Sequence, residues 1–370
     1  MKVLVLNSGS SSLKYKLFDG QKALYEGIVE HIGEEGGVPD HREALRKAEK
    51  ALIASGALTS FRDLDAAGHR VVHGGEKFVE PTRIDTDVIE AIRALIPLAP
   101  LHNPANLAGI ETMVKLVPGL PQVAVFDTAF HQTMPEKAYL YAIPYDLYEK
   151  RGIRRYGFHG TSHSYVARAA AKTLGRPLEE TKLITLHLGN GASACAVERG
   201  RSVETSMGFT PLEGLVMGTR SGDVDPEIAV WMAREGMDAD RILNKQSGLK
   251  GLCGDNDVRA ILARMKAGDA AARRALEVYA HRIRRYVGAY LAVLGGADAI
   301  VFTAGVGEHS PEVRRMACEN LQALGIRLDE KRNAAARTLI STDDSPVKVL
   351  VIPTDEELEI ARQTEGVLRG

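Results

Sequence analysis

Two arginines stand in settings suited to anion chemistry. Arg70 lies in Gly68-His69-Arg70-Val71-Val72-His73-Gly74-Gly75, and Arg220 in Met217-Gly218-Thr219-Arg220-Ser221-Gly222-Asp223. An isolated arginine is usually a solvated surface group. Here the glycine neighbours leave few long side chains to shield the guanidinium, whose fork matches carboxylate or phosphate. The polar turn Gly157-Phe158-His159-Gly160-Thr161-Ser162-His163 offers His159 as a further phosphate contact. Its two histidines have the i, i+4 spacing of a zinc pair, yet no adjacent acidic base or third ligand accompanies them, so no metal is expected there. No G-x-S-x-G elbow points to a nucleophilic serine. Asp127 and Glu356 stand at strand ends and could hold Mg²⁺, which needs only one or two protein oxygens when a nucleotide supplies others. Glu356 reads equally well as the acidic first turn of a closing helix, favoured by the dipole.

A phosphate chain also needs backbone donors. Three glycine-rich turns follow apolar runs: residues 7–12, residues 189–193, and Ala304-Gly305-Val306-Gly307-Glu308. Each alone could be a plain hairpin, but together their glycines allow close backbone approach to an anion. None is a P-loop, since Gly9 and Lys14 have the wrong spacing, and no dinucleotide fingerprint occurs. The first two turns repeat at a fixed offset, Gly9 to Gly189 and Gly20 to Gly200 each being 180 residues apart. A second echo joins Val123-Ala124-Val125-Phe126-Asp127-Thr128 to Ala299-Ile300-Val301-Phe302-Thr303-Ala304. A repeated strand–turn–strand predicts a duplicated domain with a phosphate-binding cleft between the halves.

The elements that must position these residues follow from pattern. The run at residues 3–6 reads as a strand buried on both faces, residues 13–17 alternate like a strand with one wet face, and residues 66–72 form another strand. Helices are expected over residues 41–55, 105–117 and 270–294, which makes the chain α/β. A length of 370 residues favours two domains. Apolar residues at 45% and charged residues at 26% are ordinary for a globular protein, and a net charge of −1 argues against nucleic-acid binding. Cys195, Cys253 and Cys318 are odd in number and scattered, as expected of reduced thiols. The N-terminal apolar run is too short for a signal peptide. Residues 287–307, interrupted by Gly295-Gly296 and Asp298, read as helix end, turn and strand, so a cytoplasmic protein without a membrane partner is expected.

The chain resembles the acetokinase family of the actin–sugar kinase superfamily. The resemblance rests on residues 4–14, 68–75, 155–163, 187–191, 217–226 and 353–361, and so spans the chain. It implies two ribonuclease-H-like (actin-like ATPase) domains, residues 1–130 with 357–370 and residues 131–356, with an interdomain cleft, a homodimer, and reversible transfer of the ATP γ-phosphoryl group to acetate, giving acetyl phosphate and ADP. Asn7 and Glu356 match the Mg²⁺ positions, where Mn²⁺ could substitute, and Lys14 matches a nucleotide-phosphate contact. Arg70 matches the substrate-carboxylate position, Asp127 the catalytic acid, and His159 and Arg220 the transition-state stabilisers. His187, Leu188, Gly189, Asn190, Gly191, Asp257, Val258, Arg259, Gly305, Val306, Gly307, Glu308 and His309 match nucleotide segments. Val72, Leu101, Phe158 and Pro211 match the pocket for the acetate methyl. His309 replaces the family's usual Asn, Val258 replaces a larger apolar residue, and residues 251–257 are altered, which puts base preference in question. Rival readings are a propionate or butyrate kinase, or a non-enzymatic actin-like nucleotide switch.

Overall fold

The computed structural model describes residues 1–100 and 102–370. Leu101, expected in the acyl pocket, lies outside the described residues. The chain divides into two compact units, Met1–Gln132 with Asp355–Gly370, and Thr133–Thr354.

In the first unit, β1 (Lys2–Ser8), β2 (Ser12–Asp19), β3 (Lys22–Glu30), β4 (Ala66–Val71), β5 (Thr82–Arg83) and β6 (Gln122–Phe126) form a sheet of order β3-β2-β1-β4-β6-β5. β1 to β3 are an antiparallel meander, whereas β1, β4 and β6 run parallel. The continuous apolar run of β1 follows from burial on both faces, because successive side chains alternate sides. Leu4 and Leu6 pack with Ala44, Leu45, Ala48 and Leu52 of the helix His41–Ala54, which Asp40 caps by accepting from the Glu43 N–H. Val3 and Val5 pack instead with Ile360 and Ala361 of the closing helix Glu356–Arg369. That packing draws the closing helix, with Glu356 as its first residue, into the first unit, whereas the expected division had left Glu356 in the second.

In the second unit, β7 (Lys182–Leu188), β8 (Ala192–Glu198), β9 (Arg201–Thr205), β10 (Ala299–Thr303) and β11 (Lys348–Val351) have the order β11-β10-β7-β8-β9. β7 to β9 are antiparallel, and β7, β10 and β11 parallel. Numbered within each unit, both sheets read 3-2-1-4-5, with β5 an added edge in the first. This is a duplicated ribonuclease-H-like α/β architecture. The helix Ala270–Leu294 starts at Asp269, whose carboxylate accepts from the Ala271 and Ala272 N–H groups. It ends at Gly295, at φ +64. Its buried positions, among them Ala272, Leu276, Tyr279, Ile283, Val287, Tyr290 and Leu294, recur at three- and four-residue steps. Among the described residues no helix is long and apolar enough to cross a membrane.

Three expectations change. The offset of 180 holds along β1 and β7 but drops by one at the turn, since Ser8 pairs with Leu13 whereas Leu188 pairs with Ala192. Gly20 and Gly200 therefore occupy different positions of their hairpin turns, which close at Asp19↔Lys22 and Glu198↔Arg201. The second echo also fails as a duplication. β10 lies beside β7 as β4 lies beside β1, so β6 corresponds to β11 and not to β10. Finally, residues 304–308 do not form an open turn but the greater part of a short helix, Ala304–His309.

Candidate active site

In the first unit β4 carries Arg70 to the end of the sheet. Its Nε donates to Asp127 Oδ1 at 2.9 Å, and its Nη2 to Oδ2 at 2.7 Å, so the ion pair is bidentate. Asp127 follows β6, the parallel neighbour of β4, and that adjacency sets the pair. Burial opposes the charge on Arg70, but Asp127 and then Glu356 outweigh it and raise its pKa. Burial raises the pKa of Asp127 against the pull of Arg70, and Glu356 adds to the rise. Asp127, expected as the catalytic acid, is thus committed to holding Arg70. Nε and Nη2 are both engaged with Asp127.

Asn7 and Lys14 face each other across β1 and β2. Glu356 opens the closing helix, whose cap Asp355 accepts from the Leu358 N–H at 2.9 Å and from Lys16 Nζ at 3.3 Å. Asn7 and Glu356 offer an amide and a carboxylate oxygen, hard donors that fit Mg²⁺. Val72 follows β4, and its N–H donates to Asn106 Oδ1 at 3.0 Å. Asn103 binds the next residue twice, accepting from the His73 N–H and donating to the His73 carbonyl. Both asparagines are buried on one helix, and sequence reasoning missed them. The signal was present in two amides at i, i+3 on an otherwise apolar stretch, since buried amides are kept where backbone must be held. His69 and His73 are also buried, and burial lowers each to about 4.

In the second unit His159 adopts φ +57 as the residue before the helix Gly160–Leu174. A non-glycine residue in the left-handed region is uncommon, and such conformations gather at functional sites. His159 Nδ1 lies 2.9 Å from Ser193 Oγ, and its ring stacks on His187 at 4.1 Å. Arg220 sits on a loop closed at its base: the Gly214 N–H donates to Asp223 Oδ1, and the Asp223 N–H to the Gly214 carbonyl. Arg282 and Tyr286 of the long helix bind that base as well. Arg220 Nη1 donates to the Pro211 carbonyl at 3.1 Å, yet among the described residues no carboxylate pairs with this half-buried guanidinium. Burial lowers its pKa. A Cβ added to Gly191 would meet His159 Nε2 at 3.5 Å and Arg220 Nη1 at 3.6 Å, so both groups converge on this turn. Phe158, next to His159, is buried.

A cavity of about 670 Å³ adjoins that turn, lined by Gly189, Asn190, Gly305, Val306 and His309 on one side and Asp257, Val258 and Arg259 on another. Its volume suits a small-molecule ligand. Gly218, Leu249, Asn256, Leu262 and Ser310 also line it and were not anticipated. Gly218 is required by close approach, as a Cβ there would lie 2.2 Å from Asn190 Oδ1. Asp257 caps the helix Val258–Lys266, and hydrogen bonds from Arg259 lower its pKa to about 2. His187 and Leu188 are buried in β7, while the Gly307 and Glu308 carbonyls accept from Arg314. These four expected nucleotide residues support the cavity rather than line it. Among the described residues no cluster of three or more metal-ligating side chains occurs, and His159 and His163 are each engaged with Ser193.

The sequence matches the profile of the Acetokinase family over residues 2–362. It is 54% identical over 392 residues to an acetate kinase of Sulfurovum sp. (strain NBC37-1), covering 100% of this chain and 99% of the relative. Among solved structures, the Porphyromonas gingivalis acetate kinase is 45% identical with a TM-score of 0.95, covering 99% of both chains. A propionate kinase from Francisella tularensis is 42% identical with a TM-score of 0.94, also covering 99% of both.

Proposed function

The chain belongs to the acetokinase family, and from that premise we infer a phosphotransferase that moves the γ-phosphoryl group of ATP reversibly to acetate, giving acetyl phosphate and ADP. The observation that carries this reading is Arg220, a half-buried guanidinium with no carboxylate partner among the described residues, converging with His159 on the Gly191 turn beside a cavity whose volume suits a small-molecule ligand. Leaving a buried cation unpaired is costly unless an anion arrives to match it.

Acetate needs no general base, since a carboxyl with a pKa of roughly 4.3 is ionised at neutral pH. The obstacle is repulsion between two anions, so the work is positioning and charge neutralisation. Arg70, oriented by Asp127, takes the acetate carboxylate, and Val72 bounds its methyl. Lys14 and the 189–191 turn meet phosphate oxygens. Arg220 and His159 meet the equatorial oxygens of the phosphoryl group in transit, where charge builds up. Asn7 and Glu356 would hold Mg²⁺, which when bound neutralises charge on the β- and γ-phosphates. A homodimer and a cytoplasmic location complete this reading on the family resemblance.

Hydroxylamine trapping of acyl phosphate tests it, with acetate, propionate and butyrate crossed against ATP, GTP and pyrophosphate. Acetyl phosphate should dominate with ATP. GTP should reach within about tenfold, because apolar contacts to a base discriminate by only about 1–3 kcal/mol. Activity with pyrophosphate and with no nucleoside triphosphate would overturn the donor assignment.

A further inference from the structure

Arg220 takes its bearing from the Pro211 carbonyl and the Met217 thioether. Its guanidinium is therefore placed no better than residues 206–214, which lie outside helix and strand. Three side chains that the mechanism does not use fasten that segment. Arg155 Nη1 donates to the carbonyls of Thr205, Ser206 and Met207 at 3.0, 3.1 and 3.1 Å, and its Nη2 donates to Glu213 Oε1 at 2.6 Å. Tyr141 Oη donates to the other carboxylate oxygen, Glu213 Oε2, and accepts from the Phe209 N–H at 2.9 Å. Chemistry fixes these directions, since a guanidinium and a backbone N–H only donate and a carboxylate only accepts.

Phe209 precedes Pro211 and Glu213 follows it, so the chain is gripped on both sides of the carbonyl that holds Arg220. Gly208 makes room for this grip, since a Cβ there would strike Glu213 Oε2 and Tyr141 Oη. The Gly208 carbonyl accepts from the Tyr156 and Gly157 N–H groups, next to Arg155 in the chain. Arg155 and Glu213 are largely withdrawn from solvent, at 14% and 32% side-chain exposure, and Glu204 stands 3.6 Å from Arg155 Nε as a second counter-charge. A buried ion pair is a weak source of stability. What this one sets is the path of the chain through Pro211. The base of the Arg220 loop is held separately, by Asp223, Arg282 and Tyr286.

We propose that Tyr141, Arg155 and Glu213 form a clamp that places the Pro211 carbonyl and through it directs the Arg220 guanidinium at the phosphoryl group in transit. The inference rests on the reading of Arg220 as the group that meets that phosphoryl. All three are positioning residues. A small displacement of a group that binds the transition state is felt in the rate even when substrates still bind, because the interaction depends on alignment.

Tyr141→Phe is the mildest probe, because it removes one hydroxyl and keeps the ring, whose centroid lies 5.6 Å from the Arg155 guanidinium carbon. Its kcat should fall about tenfold, the worth of one hydrogen bond to a charged group, with the KM for acetate and for ATP within about twofold. Glu213→Gln, which keeps the volume, should show the same split. A double-mutant cycle with Arg220→Ala then separates positioning from mere support. With the guanidinium gone, neither substitution should cost more than about twofold further, because the group they direct is missing. An equal loss in the parent and Arg220→Ala backgrounds would mark structural residues and overturn the proposal, as would parental kcat in both Tyr141→Phe and Glu213→Gln. Parental kcat in Arg220→Ala would instead overturn the reading of Arg220 and this inference with it, so the two failures are distinguishable.

Discussion

The two site arginines differ in what they already hold. Arg70 is committed through Nε and Nη2 to Asp127, whereas Arg220 has a backbone carbonyl and a thioether. Arg70→Ala should therefore act chiefly on the KM for acetate, and Asp127→Asn should act in the same direction by releasing the guanidinium. Arg220→Ala should lower kcat by roughly 10²–10³, as removal of an oxyanion donor does, with little change in the KM for ATP. Arg220→Lys should behave like the alanine variant, because it keeps the charge and loses the fork. Steady-state kinetics of the four variants separate these effects, and near-parental kcat in Arg220→Lys would show that a point charge suffices. Val72 is held by Asn106 through its backbone, so shortening its side chain leaves its position intact. Val72→Ala should move the propionate/acetate ratio of kcat/KM by about 1–3 kcal/mol, and an unchanged ratio would remove Val72 from the acyl pocket.

At the scale of elements, β4 and the residues that follow it carry an acid sensitivity. His69 Nε2–H donates to Gln122 Oε1 at 2.7 Å, and His73 is fully buried. Burial lowers both to about 4. The unfolded chain takes up these protons near pH 6.5, but the folded one only near 4. Their contribution is therefore whole above pH 6.5 and is lost as pH falls toward 4, by up to about 3 kcal/mol each. Urea titrations at pH 7 and pH 4.5 should show the loss, and His69→Gln should reduce it, whereas an equal loss in that variant would clear His69. Legibility in the sequence also divides by element. Residues 270–294 were readable because one buried stripe recurs at helical spacing, and residues 3–6 because a strand buried on both faces is apolar throughout. The same uniformity hid which strand β10 duplicates, since a run such as Ala299–Thr303 looks alike at any inner position of a sheet. The helix Ala304–His309 was hidden by its two glycines, poor helix formers that tertiary contacts override. Arg70 and Arg220 were legible from their glycine settings, but Asn103, Asn106 and Ser193 were not, because their value lies in partners distant in sequence.

At the scale of the whole molecule, one architecture occurs twice and the two copies have diverged in what they carry. The first holds the acid–arginine pair and the candidate Mg²⁺ oxygens, and the second the 670 Å³ cavity, His159 and Arg220. Hydrogen exchange should accordingly show protection by ADP at residues 189–191, 256–262 and 305–310, and protection absent from all three would displace the nucleotide from this cavity. The proposed transfer is direct, with positioned charge and no covalent phosphoenzyme. His159, whose Nε2 faces the Gly191 turn, is the side chain best placed to become one. Stereochemistry at phosphorus tests the claim most directly. ATP made chiral at the γ-phosphorus with oxygen isotopes should give acetyl phosphate of inverted configuration, as one in-line displacement requires. Retention would reveal two displacements through a phosphorylated side chain, and would contradict the account.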